Sequence, residues 1–428
     1  MTASDLSGNP RRFIVFTVFY NARAYYPVLA ILFLDLGLSL DQFVMLNLIW
    51  AATILLFEVP SGALADTVGR RNLLVTAAGL MVCEMLCLLL APRGGGGWLL
   101  GVCVLNRILS GLSEACASGA DEALAYDSLP EEERVGAWDQ LLAASLRWRA
   151  VGFVVAMILG GMMYDPTMWN RFVPDGLRLT HAVAHRLPVV LVLGQALVCL
   201  WVALRMVEPP RGEVEDTGNA CRRAFRLTLE TARWVFTQPQ TRVIVVIGLV
   251  IDSIVRNFAT ITSSYYRLIQ LPEWSFGLIG ATIGMIGWFV PGIAGRLNQR
   301  YGTLANLGIA AGIAMIGLAL LVPAWAVWGM LPAMGLMTTL GYLGFTVSRA
   351  LHIFADSSHR ATVLSVKGMA FNLGFGLFSL GFSRLLASFP ASSGDAALYS
   401  ALRWQVPAYA LGVVMLFAWA IRLKKRAA

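Results

Sequence analysis

The sequence predicts an all-α membrane protein whose twelve transmembrane helices form two pseudo-symmetric six-helix bundles. The first observation is composition: 57% of the 428 residues are hydrophobic and only 14% are charged, with a mean hydropathy of +0.68. A soluble domain carries roughly a quarter charged residues, so this chain has too few charges to cover a water-exposed surface. The second observation is that apolar residues come in long blocks such as 307–325. A helix needs about 20 mostly apolar residues to cross a bilayer, and such blocks recur along the whole chain.

Twelve apolar segments are each interpreted as one membrane-spanning helix. An even number of spans places both termini on the same side of the membrane. The loops on that side hold the larger share of Arg and Lys, which predicts that both termini are cytoplasmic. The predicted spans are 13–35, 43–65, 73–91, 98–125, 137–163, 187–208, 241–266, 275–297, 303–323, 327–354, 361–388 and 398–422.

The charge and cysteine patterns exclude several other classes of protein. The net charge of +8 does not predict nucleic-acid binding, because the cations lie in short clusters between apolar blocks. The six cysteines show neither metal-ligand spacing nor a disulfide framework. No Gly-rich phosphate-binding loop that ends in Lys-Ser or Lys-Thr occurs, which argues against ATP-driven transport. We therefore expect no metal, no cofactor and no enzymatic activity.

Two halves joined by a linker are the predicted domain organisation. The expected N-terminal bundle is 1–208, the cytoplasmic linker is 209–240 and the C-terminal bundle is 241–428. Within the linker, apolar residues recur at helical spacing with arginines on the other faces, which is typical of an amphipathic helix on a membrane surface. Those apolar residues are Phe225, Leu229, Ala232 and Phe236.

An internal repeat supports the division into halves. The loop that begins at Gly62 reads GALADTVGRR, and the one that begins at Gly295 reads GRLNQRYG. Gly62 and Gly69 match Gly295 and Gly302 at the same separation along the chain. Parallel repeats of this kind are a known transporter architecture.

The first of these loops resembles the signature loop of the major facilitator superfamily, G-x-x-x-D-(R/K)-x-G-R-R. Thr67 stands where that family usually has a cation. The resemblance implies the major facilitator fold, and it implies that the loop acts as a conformational latch in which Asp127 pairs with Arg70. The implied latch residues are Gly62, Asp66, Gly69, Arg70, Arg71 and Asp127.

Other segments resemble bacterial efflux-type members of the superfamily. Residues 106–111 resemble the family's second motif, an intramembrane Arg followed by Gly. The stretches 115–134 and 357–368 are similar to those of efflux members. The fifth span has Gly160 and Gly161 but lacks the Gly-Pro of antiporters. The resemblance implies a protein of the bacterial inner membrane, with efflux as the favoured direction.

Charged residues inside the spans are the candidate functional residues, because each costs at least ~2.5–3.5 kcal/mol at the bilayer centre on insertion scales. Helical periodicity places Arg107, Glu114, Ser118 and Asp121 on one face of the fourth span. Asp252 and Arg256 are spaced for an i,i+4 ion pair. In the superfamily, the first, fourth, seventh and tenth spans line the central cavity. The candidate substrate-binding residues are Tyr20, Arg23, Arg107, Asp252 and Arg256.

Glu114 is the first candidate for proton coupling and Asp252 is the second. A carboxylate in a cavity that alternately hydrates and closes can bind and release a proton. Two alternatives stay open. Glu114 could be a fixed counter-ion for Arg107, and all the intramembrane charges could pair only to hold helices together.

The predicted function is proton-coupled secondary transport, in which the two halves rock around a central site. Arginines outnumber carboxylates at mid-depth, which favours a small amphipathic or organic-anion substrate. The expected partners are this substrate, protons and membrane lipid, with a monomer as the expected assembly. Uptake or exchange of an organic anion nutrient is one alternative. A receptor or channel on the same scaffold is another.

Overall fold

The computed structural model describes residues 6–171, 173–209, 217–354, 360–389 and 394–427. Helices and their connections account for all of this part of the chain, which contains no strand. The fourteen longer helices are α1 Asn9–Asn21, α2 Leu29–Leu36, α3 Leu40–Thr67, α4 Arg70–Leu89, α5 Gly97–Ala117, α6 Ala120–Asp127, α7 Arg134–Tyr164, α8 Leu187–Arg205, α9 Thr217–Thr237, α10 Pro239–Leu268, α11 Glu273–Leu321, α12 Met330–Phe354, α13 Arg360–Ala387 and α14 Gly394–Ala427.

The count of membrane spans depends on how α11 is divided. Eleven helical segments of the described chain are long and apolar enough to cross a membrane, and α11 is one of them with 49 residues. At 1.5 Å per residue it would extend about 73 Å, more than twice the ~30 Å of a hydrocarbon core. Gly302 interrupts it with φ +71°. Because α11 thus supplies two spans, the described residues form twelve spans, as predicted.

Glycines with positive φ angles occupy matching positions in the two repeated loops. Gly69 has φ +112° and immediately precedes α4, and Gly302 has φ +71° at the matching place within α11. A side chain in this region meets its own backbone, so glycine is the residue that turns the chain there at little cost. The repeat that the sequence predicts is therefore also a repeat of backbone conformation.

Replacing Gly69 with alanine is expected to destabilise the protein by about 1–2 kcal/mol, the cost of a left-handed conformation for a residue with a Cβ. Gly62 provides the matched control, because it lies inside α3 and an added Cβ would have no atom within 4 Å. There the same change is expected to be neutral or to stabilise the helix by about 0.5–1 kcal/mol. Thermal unfolding midpoints in detergent compare the two variants. Equal destabilisation at both positions would refute the conformational explanation.

Two of the predicted spans are broken in the structure. The first span is not continuous, since α1 ends at Asn21 and helical structure resumes at Tyr26, which leaves Arg23 in a non-helical segment. The Gln195 amide donates to the exposed carbonyl of Ala22 at 2.7 Å. On the facing helix, Gly160 is required because a Cβ there would overlap the carbonyl of Ala24.

The second break corrects a sequence prediction. Gly119 has φ +74° and separates α5 from α6. The helical register that runs through Arg107 and Glu114 therefore ends at Ala117. Asp121 belongs to the next helix, so the four-residue face predicted for the fourth span is wrong beyond Glu114.

The chain forms two compact units. The first unit comprises Met1–Leu38, Ala52–Arg226 and Pro272–Gly284. The second unit comprises Ser39–Ala51, Leu227–Leu271 and Met285–Ala428. Each unit thus includes one short segment from the opposite half of the sequence. The boundaries 1–208, 209–240 and 241–428 stay a prediction.

The predicted linker contains a helix, α9, which begins at Thr217. The preceding linker residues 210–216 lie outside the described residues. On α9 the apolar residues Phe225, Leu229 and Phe236 are exposed, as expected of a helix whose apolar face meets lipid. A location on the cytoplasmic membrane surface stays a prediction.

Candidate functional site

The most deeply buried charges of the first unit are Arg23 and Glu84, which form an ion pair. Their side chains are 4% and 0% exposed. Nη1 of Arg23 donates to both carboxylate oxygens of Glu84 at 2.9 Å and to the Tyr25 hydroxyl at 3.0 Å. That hydroxyl in turn donates to Glu84 at 3.3 Å. The charge of Arg23, a predicted substrate-binding residue, is therefore already neutralised within the protein.

Tyr20 lies next to this pair and is 5% exposed. Its hydroxyl is 2.7 Å from Oγ of Ser113, and its ring stacks on Phe16 with 5.3 Å between the ring centroids. The guanidinium of Arg23 lies 5.6 Å from the centroid of the Tyr20 ring. Tyr20 thus joins α1 to α5 beside the ion pair.

Arg107 is buried in a different way. It is 7% exposed, its Nε donates to Oδ1 of Asn106 at 3.2 Å, and its guanidinium lies 4.8 Å from the centroid of the Phe33 ring. Nη2 is buried and has no hydrogen-bond partner in the described part of the chain. Unlike Arg23, Arg107 has no carboxylate partner among the described residues.

Glu114 is exposed, and its electrostatic neighbours include Arg23, Glu84 and Arg149. Within the described chain no ion pair joins it to Arg107. Glu114 is therefore not paired with Arg107 in this structure, and its role stays a prediction. Glu114 is a surface-accessible carboxylate of α5 at the edge of the buried charges.

A second carboxylate, Glu58, lies within electrostatic range of Glu114. The hydroxyl of Ser61, one turn further along α3, donates to the carbonyl of Ala115 at 2.7 Å, which brings α3 and α5 together at this level. Oε2 of Glu58 is buried without a hydrogen-bond partner in the described part of the chain. Sequence reasoning notes Glu58 as a charge just before the signature loop but favours a packing role for it.

The second unit holds the predicted pair of Asp252 and Arg256 on α10. Nη2 of Arg256 lies 2.7 Å from Oδ2 of Asp252, and Nη1 donates to Oδ1 of Asn372 on α13 at 2.9 Å. Lys367, also on α13, donates to Oγ of Ser348 at 3.1 Å and interacts electrostatically with Asp252. Asp252 therefore pairs with Arg256 and has a second cation, Lys367, within electrostatic range. Sequence reasoning considered Lys367 only as a member of a gate pair, and it did not predict Asn372 or Ser348, since no spacing rule connects these residues to α10.

Replacing Arg256 with glutamine is expected to destabilise the protein by about 2–3 kcal/mol, somewhat less than the ~3–5 kcal/mol for breaking a fully buried pair. The change leaves Asp252, which is 7% exposed, without its cation, while the 28% exposure of the Arg256 side chain and the nearby Lys367 moderate the loss. Asp252→Asn should cost less, because its amide oxygen can still accept from Arg256. Thermal unfolding in detergent measures both variants, and the reverse order of stability would contradict the assignment.

The signature loop is fixed by contacts within the first unit. Arg70 pairs with the carboxylate of Asp127 and donates to the carbonyl of Ala123 at 3.1 Å. Arg71 donates to the carbonyls of Leu204 and Met206 at the end of α8, each at 2.8 Å.

Glu208 completes the loop contacts and was missed by sequence reasoning. Its carboxylate accepts from the backbone N–H groups of Arg70 and Arg71 at 3.1 and 2.8 Å. These N–H groups lie at the N-terminus of α4, where an anionic group is stabilising because the backbone donors there have no partner within the helix. The side chain of Asp66 lies outside the described residues, and the latch role of the loop stays a prediction.

Comparison with known proteins decides the family. The model of the Major Facilitator Superfamily matches residues 13–379, most of the chain. The chain belongs to the Major Facilitator Superfamily. Members of this superfamily are transporters, so the protein is an integral membrane protein of a transporter family. No curated protein matches its sequence.

Solved structures of other transporters share the major facilitator fold of this chain. A single-substitution variant of the nucleoside transporter NupG superimposes with a TM-score of 0.73 at 10% identity, covering 97% of this chain and 99% of that one. A bacterial homolog of the human lysosomal transporter Spinster gives 0.70 at 16% identity, covering 99% and 98%. A POT family transporter in complex with 5-aminolevulinic acid gives 0.67 at 13% identity, covering 96% of each chain. Identities this low show the fold alone.

Proposed function

We propose that this major facilitator is a proton-coupled secondary transporter that exports a small amphipathic or organic-anion compound by alternating access. It would lie in a bacterial inner membrane with both termini in the cytoplasm and work as a monomer. The observation that carries the proposal is the set of buried or part-buried charges inside apolar helices of both units. Charges at membrane depth are costly and mark substrate and proton pathways.

The balance of charge supports an anionic group on the substrate. In the first unit Glu84 neutralises Arg23, while Arg107 keeps an unpartnered donor. In the second unit Arg256 pairs with Asp252, and Lys367 lies within electrostatic range of the same carboxylate. Both units therefore offer a cation beyond their closest ion pair. Arginine suits this role because its planar fork presents several donors to a carboxylate.

Proton coupling is supported by the position of Glu114. Its side chain has accessible surface and lies within electrostatic range of Arg23, Arg149 and a second carboxylate, Glu58. A carboxylate whose neighbours include both signs of charge changes its proton affinity when those neighbours move. Asp252, held by Arg256, is the second candidate.

The proposed direction rests on the resemblance of residues 115–134 and 357–368 to efflux-type members. Uptake of an organic anion would use the same sites in the opposite direction. Accumulation of a labelled substrate in inverted vesicles supports export, whereas accumulation in intact cells supports uptake.

A two-stage experiment tests the function. A thermal-shift screen on the purified chain first identifies ligands. The protein is then reconstituted in proteoliposomes, and transport of each ligand is measured under an imposed pH gradient. We expect saturable flux that depends on the gradient. Ligand binding with no flux would overturn transport and favour a receptor, and flux that does not saturate would favour a channel.

A further inference from the structure

The two buried arginines of the first unit differ in one respect. Both Arg23 and Arg107 are less than 10% exposed, at 4% and 7%. Arg23 has a carboxylate partner, Glu84, at 2.9 Å, whereas among the described residues Arg107 hydrogen-bonds only the neutral side chain of Asn106. A buried charge without a counter-ion is unfavourable unless a ligand supplies one.

The guanidinium of Arg107 is nevertheless held in a fixed orientation. Asn106, which accepts from its Nε, is itself anchored because its amide donates to the backbone carbonyl of Glu84 at 2.8 Å. The Phe33 ring packs against the guanidinium, with its centroid 4.8 Å from Cζ. These contacts leave Nη2 as a buried donor with no acceptor in the described chain. A preorganised donor of this kind binds an acceptor without a large ordering cost.

From this geometry we propose that Arg107 binds the anionic group of the substrate, and that the substrate is a monocarboxylate with an apolar or aromatic body. This rests on the proposed function and names its substrate class. One uncompensated positive charge matches one negative charge, which favours a monoanion over a phosphate dianion. A carboxylate oxygen accepts from Nη2 in a charge-assisted hydrogen bond. The Phe33 ring packed on the guanidinium and Tyr25, within electrostatic range of Arg107, make the surroundings of this charge aromatic, which favours an apolar or aromatic body on the ligand.

The same geometry assigns Arg23 a different part. Because Glu84 and Tyr25 already occupy its guanidinium, Arg23 holds the neighbouring helices in place and positions the site. Arg107 alone contacts the ligand's charge in this unit.

Ligand binding to the purified full-length protein tests the proposal. The probes are benzoate and 3-phenylpropionate. Benzylamine and 3-phenylpropylamine serve as cationic analogues, and sodium chloride supplies an inorganic anion. We expect the carboxylates to raise the unfolding temperature and the amines to have no effect. Arg107→Gln should weaken carboxylate binding by about 10- to 100-fold, as expected for losing a hydrogen bond to a charged group. Arg147→Gln is the control, since Arg147 is exposed and its only hydrogen bond among the described residues goes to the Ala143 carbonyl of its own helix.

Several outcomes would overturn the proposal. Unchanged carboxylate binding by Arg107→Gln, or no response of the wild type to either carboxylate, would remove the assignment. Stabilisation by chloride alone would assign an inorganic anion to Arg107 instead. Without ligand, Arg107→Gln should unfold no earlier than the wild type, because it removes an unpaired buried charge. If the wild type binds benzoate but shows no flux driven by a pH gradient, proton coupling fails while the assignment of Arg107 stands.

Discussion

Replacing Arg23 with glutamine is expected to destabilise the protein by about 3–5 kcal/mol, because it leaves a buried carboxylate without its cation. Glu84 is 0% exposed, and both its oxygens accept from Arg23 at 2.9 Å. The remaining donor to Glu84, the Tyr25 hydroxyl at 3.3 Å, is neutral and cannot replace a positive charge. Glu84→Gln should have an effect of similar size, since it leaves the cation unpaired.

The double variant Arg23→Gln/Glu84→Gln tests whether the two single effects come from breaking the ion pair. Two amides can hydrogen-bond to each other without a buried charge, so the double variant should recover most of the stability that either single variant loses. Thermal unfolding in detergent provides the measurement for all four proteins. A double variant that loses the sum of the two single effects would show that the residues act independently.

Glu114→Gln is expected to abolish transport driven by a pH gradient. Glutamine keeps the size of the side chain but cannot take up a proton, so substrate accumulation should fall to the level seen without a gradient. Exchange of substrate across the membrane, which needs no net proton movement, should continue. Flux in proteoliposomes with and without an imposed gradient distinguishes the two activities.

Glu122→Gln is the matched control for Glu114, because Glu122 is also an exposed glutamate and lies on the next helix, α6. It should transport like the wild type. If Glu114→Gln retains full gradient-driven accumulation, Glu114 is not the coupling residue. Asp252→Asn would then be the next variant to compare.

The fold was predictable because its determinants are local. Long apolar blocks specify the spans, and glycines in the repeated loops specify the turns, as the positive φ angles of Gly69 and Gly302 confirm. The pair of Asp252 and Arg256 was also predictable, since four residues on a helix bring side chains together. These features depend on residues that are close in sequence.

The parts that were not predicted depend on contacts between distant segments. Arg23 and Glu84 are 61 residues apart, and many buried charges could have been its partner. The break at Arg23 lies where Gly160 closely approaches Ala24, a contact that no apolar pattern encodes. Glu208 contacts α4 across more than one hundred residues, so its capping role required the tertiary structure.

Substrate-driven proton movement is the most direct test of proton-coupled export. The purified protein is reconstituted in proteoliposomes that contain a pH-sensitive dye, and a ligand from the thermal-shift screen is added on one side without an imposed pH gradient. Coupled export predicts a saturable change in internal pH in the wild type, with protons moving opposite to the substrate, and no change with Glu114→Gln. Saturable flux of the labelled substrate with no accompanying pH change in the wild type would contradict proton coupling.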